Sequence, residues 1–220
     1  MAGVKVDDNM DLLRRRVLNV IGHELRTPVT TVRGLAESLA LAPDDATRSS
    51  LTDALVRSAS RLERLVDDLL LASGVSTAAP VGPVEQVDLA AAVRRAGWTD
   101  AIEGAGAASA RVSAVDRMLE PNIDNARRHG RPVEVRIGAC TDDRVVVDVE
   151  SAGPELGEGD VALLCEPFFR GEQAVMTAPG LGLGLAIART IARAEGGDVH
   201  AHARVGGGLV VRLELPCESS

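Results

Sequence analysis

The chain has 220 residues, of which 45% are apolar and 25% charged. This is typical of globular proteins, so wholesale disorder, a collagen-like repeat and a disulfide scaffold are excluded. Trp98, Phe168 and Phe169 are the only aromatic residues, and 24 basic against 32 acidic side chains give a net charge of −8. Binders of single-stranded nucleic acid use aromatic stacking platforms and a basic surface, so we expect no nucleic-acid partner.

No stretch approaches the ~18 apolar residues that span a bilayer, and the first sixteen residues are too polar for a signal peptide. We therefore expect a cytoplasmic protein with no membrane segment in this chain. Cys140, Cys165 and Cys217 are an odd number, widely spaced, and lack the spacing of a zinc site. We expect all three to be reduced.

The first third of the chain predicts two long helices. Apolar residues recur at helical spacing from Asp8 to about Ala42 and again from about Ala46 to Ser73. Pro28 lies inside the first helix and predicts a local bend. Two helices joined by a short turn form an antiparallel hairpin, which cannot bury its apolar stripe alone. We therefore expect a homodimer that completes a four-helix bundle.

Residues 74–87 are rich in Gly, Pro, Ser and Ala and predict a linker. Beyond it, short β-like runs alternate with helices, which predicts an α/β sandwich. The predicted strands are Val133–Gly138, Arg144–Val149, Val199–Arg204 and Leu209–Leu215, the last two forming a hairpin, and the predicted helices lie near Ser113–Arg128 and Gly184–Ala194. The fold class is α+β, with domains at 1–76 and 87–220 and a linker at 77–86.

The sequence HELRTP at residues 23–28 places a histidine inside the first predicted helix. Glu24 can polarise the imidazole of His23 as a general base, which leaves the other ring nitrogen as a nucleophile toward a γ-phosphate. Thr27 lies at i+4 on the same helix face and can position a water. The alternative is a solvated helix in which His23 and Glu24 are ordinary surface residues.

Residues 19–39, NVIGHELRTPVTTVRGLAESL, resemble the phosphoacceptor box of the sensor histidine kinases of two-component systems. The predicted hairpin is similar to their dimerisation and histidine phosphotransfer domain. This resemblance implies that His23 is the phosphorylated residue, that Glu24 is its base, and that Thr27 assists phosphatase activity toward a response regulator.

Three further segments have the chemistry of a phosphate site. Residues 178–187, APGLGLGLAI, form a glycine-rich stretch that opens directly into a helix, so backbone amides and the helix N-terminus can meet an anion. Residues 166–170, EPFFR, hold two of the three aromatic residues. Residues 122–130, NIDNARRHG, close a helix with an amide suited to Mg²⁺ and basic groups suited to phosphate.

In this order the segments resemble the N, F and second G boxes of the Bergerat-type ATP-binding domain, which histidine kinases share with gyrase, Hsp90 and MutL. The resemblance implies ATP and Mg²⁺ as cofactors and Asn125 as the metal ligand. It assigns the remaining nucleotide contacts to Asn122, Arg128, His129, Ser151, Gly153, the lid residue Phe168, and the phosphate-loop residues Gly180, Gly182 and Gly184.

The chain departs from the family pattern at three places, one of which is length: Val87–Asn125 is shorter than the corresponding family segment, and we expect a strand or helix to be trimmed. Ser151 stands where the family has an Asp that accepts the adenine amino group, and loss of that bond costs about 1.5–3 kcal/mol. Glu150 cannot substitute, because adjacent strand residues point to opposite faces. Pro121 stands where the family often has an Asn, four residues before Asn125, and we expect it to break the helix.

The sequence favours an ATP-dependent protein-histidine kinase that autophosphorylates His23 and passes the phosphoryl group to an aspartate in the receiver domain of a response regulator. Two alternatives stay open: a degenerate kinase that acts as a phosphotransfer or phosphatase module, and a docking scaffold that does not depend on nucleotide. About eighteen residues precede the His23 box. We expect the input signal to come from a separate sensor subunit or from a longer, membrane-anchored chain that contains this one.

Overall fold

The chain forms two compact units, Met1–Ser76 and Thr77–Ser220. The computed structural model describes residues 4–42, 44–74, 80–170 and 181–218. Among these residues, no helix is both long and apolar enough to cross a membrane.

The first unit is the expected helical hairpin, with α1 at Val4–Ala40 and α2 at Asp45–Ala72. Helix α1 runs through Pro28 as one element. Asp44 caps α2 by accepting a hydrogen bond from the Thr47 amide at 2.7 Å. This bond and one from the Thr47 hydroxyl hold the pKa of Asp44 below its usual value.

The hairpin leaves much of its apolar surface uncovered. Leu71 is the one buried hydrophobic residue among the described side chains of the two helices, whereas Leu18 is 66% and Val29 50% exposed. Leu18 and Val29 are eleven positions apart, about three helical turns, so they share one face of α1. An apolar helix face of this kind requires a partner surface.

The second unit is a mixed sheet covered by helices. Its strands are β1 Glu85–Asp88, β2 Ile102–Glu103, β3 Ala107–Ala110, β4 Val133–Ile137, β5 Arg144–Ser151, β6 Asp198–Ala203 and β7 Leu209–Pro216. Its helices are α3 Leu89–Arg95, α4 Val112–His129, α5 Glu158–Leu163 and α6 Gly184–Ala194. The main sheet has the order β2-β4-β5-β7-β6, with only β2 and β4 parallel, and β1 pairs separately with β3.

Alternation along the strands gives the sheet one apolar and one charged face. Val145, Val147 and Val149 of β5 are buried on the face where α4 packs. The opposite face carries ion pairs: Arg212 donates to both carboxylate oxygens of Asp148, at 2.8 and 2.7 Å. This arrangement is the expected α/β sandwich.

The expectation that Pro121 breaks its helix is wrong. Helix α4 continues through Pro121 to His129. Met118, Leu119 and Ile123, on both sides of the proline, are fully buried. Their burial holds the helix together at the point where proline removes a backbone donor. Elements β1, β2, β3, α3 and α5 were not predicted, because they are two to seven residues long and too short for a clear period.

The expectation of three reduced cysteines is also wrong. Cys140 and Cys217 form a disulfide across 77 positions of sequence, with their Cα atoms 6.1 Å apart. Cys140 lies shortly before β5 and Cys217 directly after β7, and these strands pair antiparallel with Arg144 opposite Pro216, so the topology brings the two cysteines together. Cys165 is free and buried, and burial raises the pKa of its thiol.

The disulfide predicts a definite thiol count. Unfolded without reductant, the protein should show one reactive thiol, from Cys165, and three after reduction. Cys140→Ser should lower the free energy of unfolding by about 2–4 kcal/mol, since the bond closes a long loop. Titration with a thiol reagent in denaturant gives the count, and three thiols before reduction would contradict the pairing.

Candidate functional site

His23 lies on the exposed side of α1, so solvent can reach its side chain. Glu24, the next residue, is half-buried, and Thr27 lies one turn further on and is exposed. The Thr27 hydroxyl donates a hydrogen bond to the backbone carbonyl of His23 at 3.2 Å. Its oxygen still has lone pairs that can accept a hydrogen bond from a water.

In the second unit, the glycine-rich loop and the EPFFR segment pack against each other. The Phe168 amide donates to the Gly182 carbonyl at 3.1 Å. Gly182 has φ +69°, and a Cβ there would collide with the carbonyl oxygen of Phe169 and approach Arg170 Cγ to 2.8 Å. Residue 182 must therefore be glycine. Gly180 lies outside the described residues.

Phe168 itself has a strained backbone. Its φ of +66° is in the left-handed region, which bulky residues rarely adopt. Strained residues persist where the surrounding structure determines them, and they cluster at ligand clamps and switch regions. The lid role of Phe168 stays a prediction.

Asn125 lies on the face of α4 that meets the start of α6. A Cβ on Gly184, the first residue of α6, would be 3.3 Å from the Cβ of Pro121. Asn125 follows Pro121 by four positions and so shares its helix face. Its side chain is half-buried, one helical turn beyond the point where Pro121 meets the start of α6.

Arg128 and His129, the other two predicted nucleotide contacts near the end of α4, lie one turn beyond Asn125. Arg128 is exposed and forms an ion pair with Asp124 at 2.6 Å. His129 is the last residue of α4. Its side chain is not among those that the structure describes.

Asn122 points into the protein interior. It is 1% exposed, and its Nδ2 donates to the Met118 carbonyl at 2.7 Å. Its Oδ1 is buried with no hydrogen-bond partner among the described residues. The surroundings of Asn122 therefore differ sharply from those of Asn125, which is reachable from solvent.

Ser151 ends β5 on the buried face of the sheet and is 7% exposed. Its hydroxyl donates only a long hydrogen bond, of 3.5 Å, to the Leu209 carbonyl. Glu150 is on the opposite face, where it pairs with Arg136 and Arg204. Strand alternation therefore keeps Glu150 away from the position that Ser151 occupies, as the sequence predicts.

Close backbone contacts surround the end of β5. A Cβ on Gly130, which follows α4, would lie 2.8 Å from Ser151 Cβ, and one on Gly208 would lie 2.8 Å from the Gly153 nitrogen. Only glycine permits these approaches. Sequence reasoning missed the roles of Gly130 and Gly208, because their partners are distant in sequence.

Asp198 fastens α6 to the sheet. Arg189 and Arg193 of α6 bind its carboxylate, at 3.0 and 3.2 Å. Burial alone would raise the pKa of Asp198, but hydrogen bonds from the Val199 amide and the two arginines outweigh it and lower the pKa to about 2. The carboxylate therefore stays ionised and holds α6 in place at neutral pH.

These residues fit a magnesium nucleotide. The described residues contain no cluster of three or more His, Cys, Asp or Glu that could hold a metal alone. Mg²⁺ bound with phosphates commonly takes one or two protein oxygens and keeps several waters. The amide oxygen of Asn125 can supply such a ligand, and the backbone amides at the N-terminus of α6 can meet a phosphate.

Two family models match the chain in the order of its two units. The model of the His Kinase A (phospho-acceptor) domain matches residues 13–75. The model of the histidine kinase-, DNA gyrase B-, and HSP90-like ATPase matches residues 111–219. The chain belongs to the sensor histidine kinases of two-component systems.

Individual relatives agree with this assignment. The chain is 32% identical to sensor protein SphS of Synechococcus elongatus, in an alignment covering 99% of this chain and 60% of SphS. It is 34% identical to sensor histidine kinase MtrB of Mycobacterium tuberculosis, covering 93% of this chain and 39% of MtrB. The chain thus spans about two fifths to three fifths of these relatives.

Two solved structures share the fold. Full-length ShkA in complex with AMPPNP matches with a TM-score of 0.60 at 23% identity, over 94% of this chain and 46% of ShkA. Histidine kinase AdeS of Acinetobacter baumannii matches with a TM-score of 0.57 at 20% identity, over 90% of this chain and 98% of AdeS.

The orphaned amide oxygen of Asn122 predicts a stabilising substitution. Asn122→Leu removes a buried acceptor without a partner and keeps a similar volume, so we expect the free energy of unfolding to rise by about 1–3 kcal/mol. Thermal or denaturant unfolding measures this change. Asn125→Leu is the matched control and should give no such gain, because residue 125 is half-exposed. Loss of stability in Asn122→Leu would show that the amide oxygen has a partner.

Proposed function

We propose that this chain is an ATP-dependent protein-histidine kinase that autophosphorylates His23 and transfers the phosphoryl group to an aspartate of a response-regulator receiver domain. The observation that carries the proposal is the presence in one chain of an exposed helical histidine and a nucleotide-type sandwich with its glycine contacts in place. In domain terms, 1–76 is the phosphotransfer domain, 77–86 the linker and 87–220 the catalytic domain.

At the phosphoacceptor, His23 is the nucleophile. Glu24 accepts a hydrogen bond from one imidazole nitrogen, which leaves the lone pair of the other nitrogen free to attack the γ-phosphorus. As the N–P bond forms, the bond to the ADP oxygen breaks. In a separate reaction, Thr27 would orient a water that attacks the phosphorus of a phosphorylated receiver aspartate, which breaks the acyl phosphate bond and releases phosphate.

At the nucleotide site, Asn125 would hold Mg²⁺ together with phosphate oxygens, and the metal supplies neutralisation of the charge that develops on the transferred group. Gly182 and Gly184 let backbone amides reach the phosphates, and the same role is proposed for Gly180. Arg128 and His129 are proposed phosphate contacts. Phe168 closes over the nucleotide, and Ser151 and Gly153 line the base.

The uncovered apolar face of the hairpin supports a homodimer. Leu18 and Val29 on α1, with Val56, Val66 and Leu70 on α2, are exposed hydrophobic side chains. A second copy of the hairpin would bury them in a four-helix bundle. We place the reaction in the cytoplasm, where ATP and receiver domains are found together.

The first test is labelling by radioactive Mg-ATP. Wild-type protein should acquire a label that is acid-labile and base-stable, and His23→Ala should abolish it. Glu24→Gln should lower the initial rate by about 100-fold or more, as expected for loss of a general base. His202→Ala, which removes an exposed histidine of β6, is the control and should label normally.

Two outcomes of the same experiment would contradict kinase activity. Wild-type protein that stays unlabelled with Mg-ATP, yet exchanges phosphate with a phosphorylated receiver domain at His23, is the degenerate phosphotransfer module. Protein that does neither is a scaffold.

The second test concerns Ser151. A carboxylate at this position can accept a hydrogen bond from the adenine amino group, so Ser151→Asp should tighten Mg-ATP binding about ten- to hundredfold. Calorimetry, or the rise in melting temperature with ligand, measures the change. Mg-GTP is the internal control, because its 6-oxo group cannot donate to the new carboxylate. Equal tightening of both nucleotides would show that residue 151 does not contact the base.

A further inference from the structure

The hydroxyl of Ser151 is held in a fixed place on the buried face of the sheet. The backbone of Ser151 is paired with Val133 of β4 on one side and with Leu209 of β7 on the other. The residue is 7% exposed, and Asn122 and Ser151 are the two most deeply buried polar residues that the structure describes. Because both neighbouring strands hold its Cα, the hydroxyl can move only by rotation about the side-chain bonds.

This hydroxyl is also nearly unpaired. Its hydrogen bond to the Leu209 carbonyl is 3.5 Å long, whereas a good bond between a hydroxyl and an oxygen acceptor is about 2.7–2.8 Å. Breaking so long a bond costs little. A buried polar group without a good partner is unfavourable, so the hydroxyl gains from a ligand atom that supplies one.

The carboxylates next to Ser151 in sequence do not share its buried face. Glu150 lies on the opposite face of the sheet, where it pairs with Arg136 and Arg204. Glu155, the next carboxylate along the chain, is exposed in the loop after β5. On the buried face, the end of β5 therefore presents a hydroxyl and no carboxylate.

This difference matters for the recognition of a purine base. At position 6, adenine carries an amino donor, whereas guanine and other 6-oxopurines carry a carbonyl acceptor. A carboxylate only accepts hydrogen bonds, so it selects the amino group. A serine hydroxyl has one donor and two acceptor lone pairs, and it can rotate to suit either base.

We propose that the nucleotide site of this chain binds 6-oxopurine nucleoside triphosphates about as well as ATP, because the Ser151 hydroxyl contacts position 6 of the base. The inference rests on the proposed kinase function, in which Ser151 lines the base. A site built to bond an N–H group rejects an analogue without that group by large factors. The hydroxyl forms one neutral hydrogen bond with either base, so this chain lacks that means of rejection.

The test is calorimetric titration of the full chain with the Mg complexes of adenosine, inosine and cytidine triphosphates. The chain carries His23→Ala, so that phosphoryl transfer adds no heat. Inosine triphosphate has the 6-oxo group without the 2-amino group of guanine, so it tests position 6 alone. We expect Mg-ITP to bind within about fivefold of Mg-ATP, and both to bind at least about tenfold more tightly than Mg-CTP, whose smaller ring cannot reach Ser151.

Two variants test whether residue 151 is responsible. Ser151→Asp accepts hydrogen bonds only, so it should weaken Mg-ITP relative to Mg-ATP by about 100-fold or more. Ser151→Ala removes both the donor and the acceptor without adding a buried charge, so it should weaken both nucleotides equally, by about three- to tenfold. Thr141→Ala, which removes an exposed hydroxyl in the β4–β5 connection, is the control and should bind as the parent chain does.

Three results would overturn the inference and leave the kinase proposal standing. The first is Mg-ITP binding about 100-fold or more below Mg-ATP. The second is equal binding of all three nucleotides, which would show that the base is not recognised. The third is unchanged affinity for both purine nucleotides in Ser151→Ala, which would show that the hydroxyl does not contact the base. If none of the nucleotides binds, the proposed kinase function and this inference both fail.

Discussion

Burial of one face of α4 is the interaction on which the second unit depends. Val115, Met118, Leu119 and Ile123 are at most 1% exposed, and each buried side chain of this size contributes about 1.5–3 kcal/mol. Their sum exceeds the roughly 3 kcal/mol that a proline costs inside a helix. Helix α4 therefore stays continuous past Pro121 and presents Asn125 one turn later.

Two glycines determine how closely the neighbouring elements approach α4. Gly130 brings the end of α4 against the end of β5, and Gly184 brings the start of α6 against Pro121. A Cβ at residue 130 would collide with the Ala152 carbonyl oxygen and force the backbones apart, whereas one at residue 184 would make a tight contact of 3.3 Å with the Pro121 Cβ. The close approach of α4 to the end of β5 thus depends on the absence of a side chain at residue 130.

Periodicity was enough to predict the long elements and the side of the sheet on which Ser151 and Glu150 lie, because these depend on local alternation and burial. The pairs Cys140–Cys217 and Arg111–Glu195 were beyond sequence reasoning. They join positions 77 and 84 residues apart, and no local pattern marks such partners. The inward direction of Asn122 was missed because residues three positions apart differ by only about 60° around a helix, so periodicity alone does not separate a buried Asn122 from a half-exposed Asn125.

Two contacts fix how α4 and α6 pack against each other as an antiparallel pair. At one end Arg111, before α4, is bound to Glu195, after α6; at the other, Pro121 in the middle of α4 contacts the first residue of α6, Gly184. Fourteen positions separate Arg111 from Asn125, a stiff rod of about 21 Å. A sliding motion of either helix would disturb both ends at once, so the Arg111–Glu195 pair also helps to hold the spacing between α4 and Gly184.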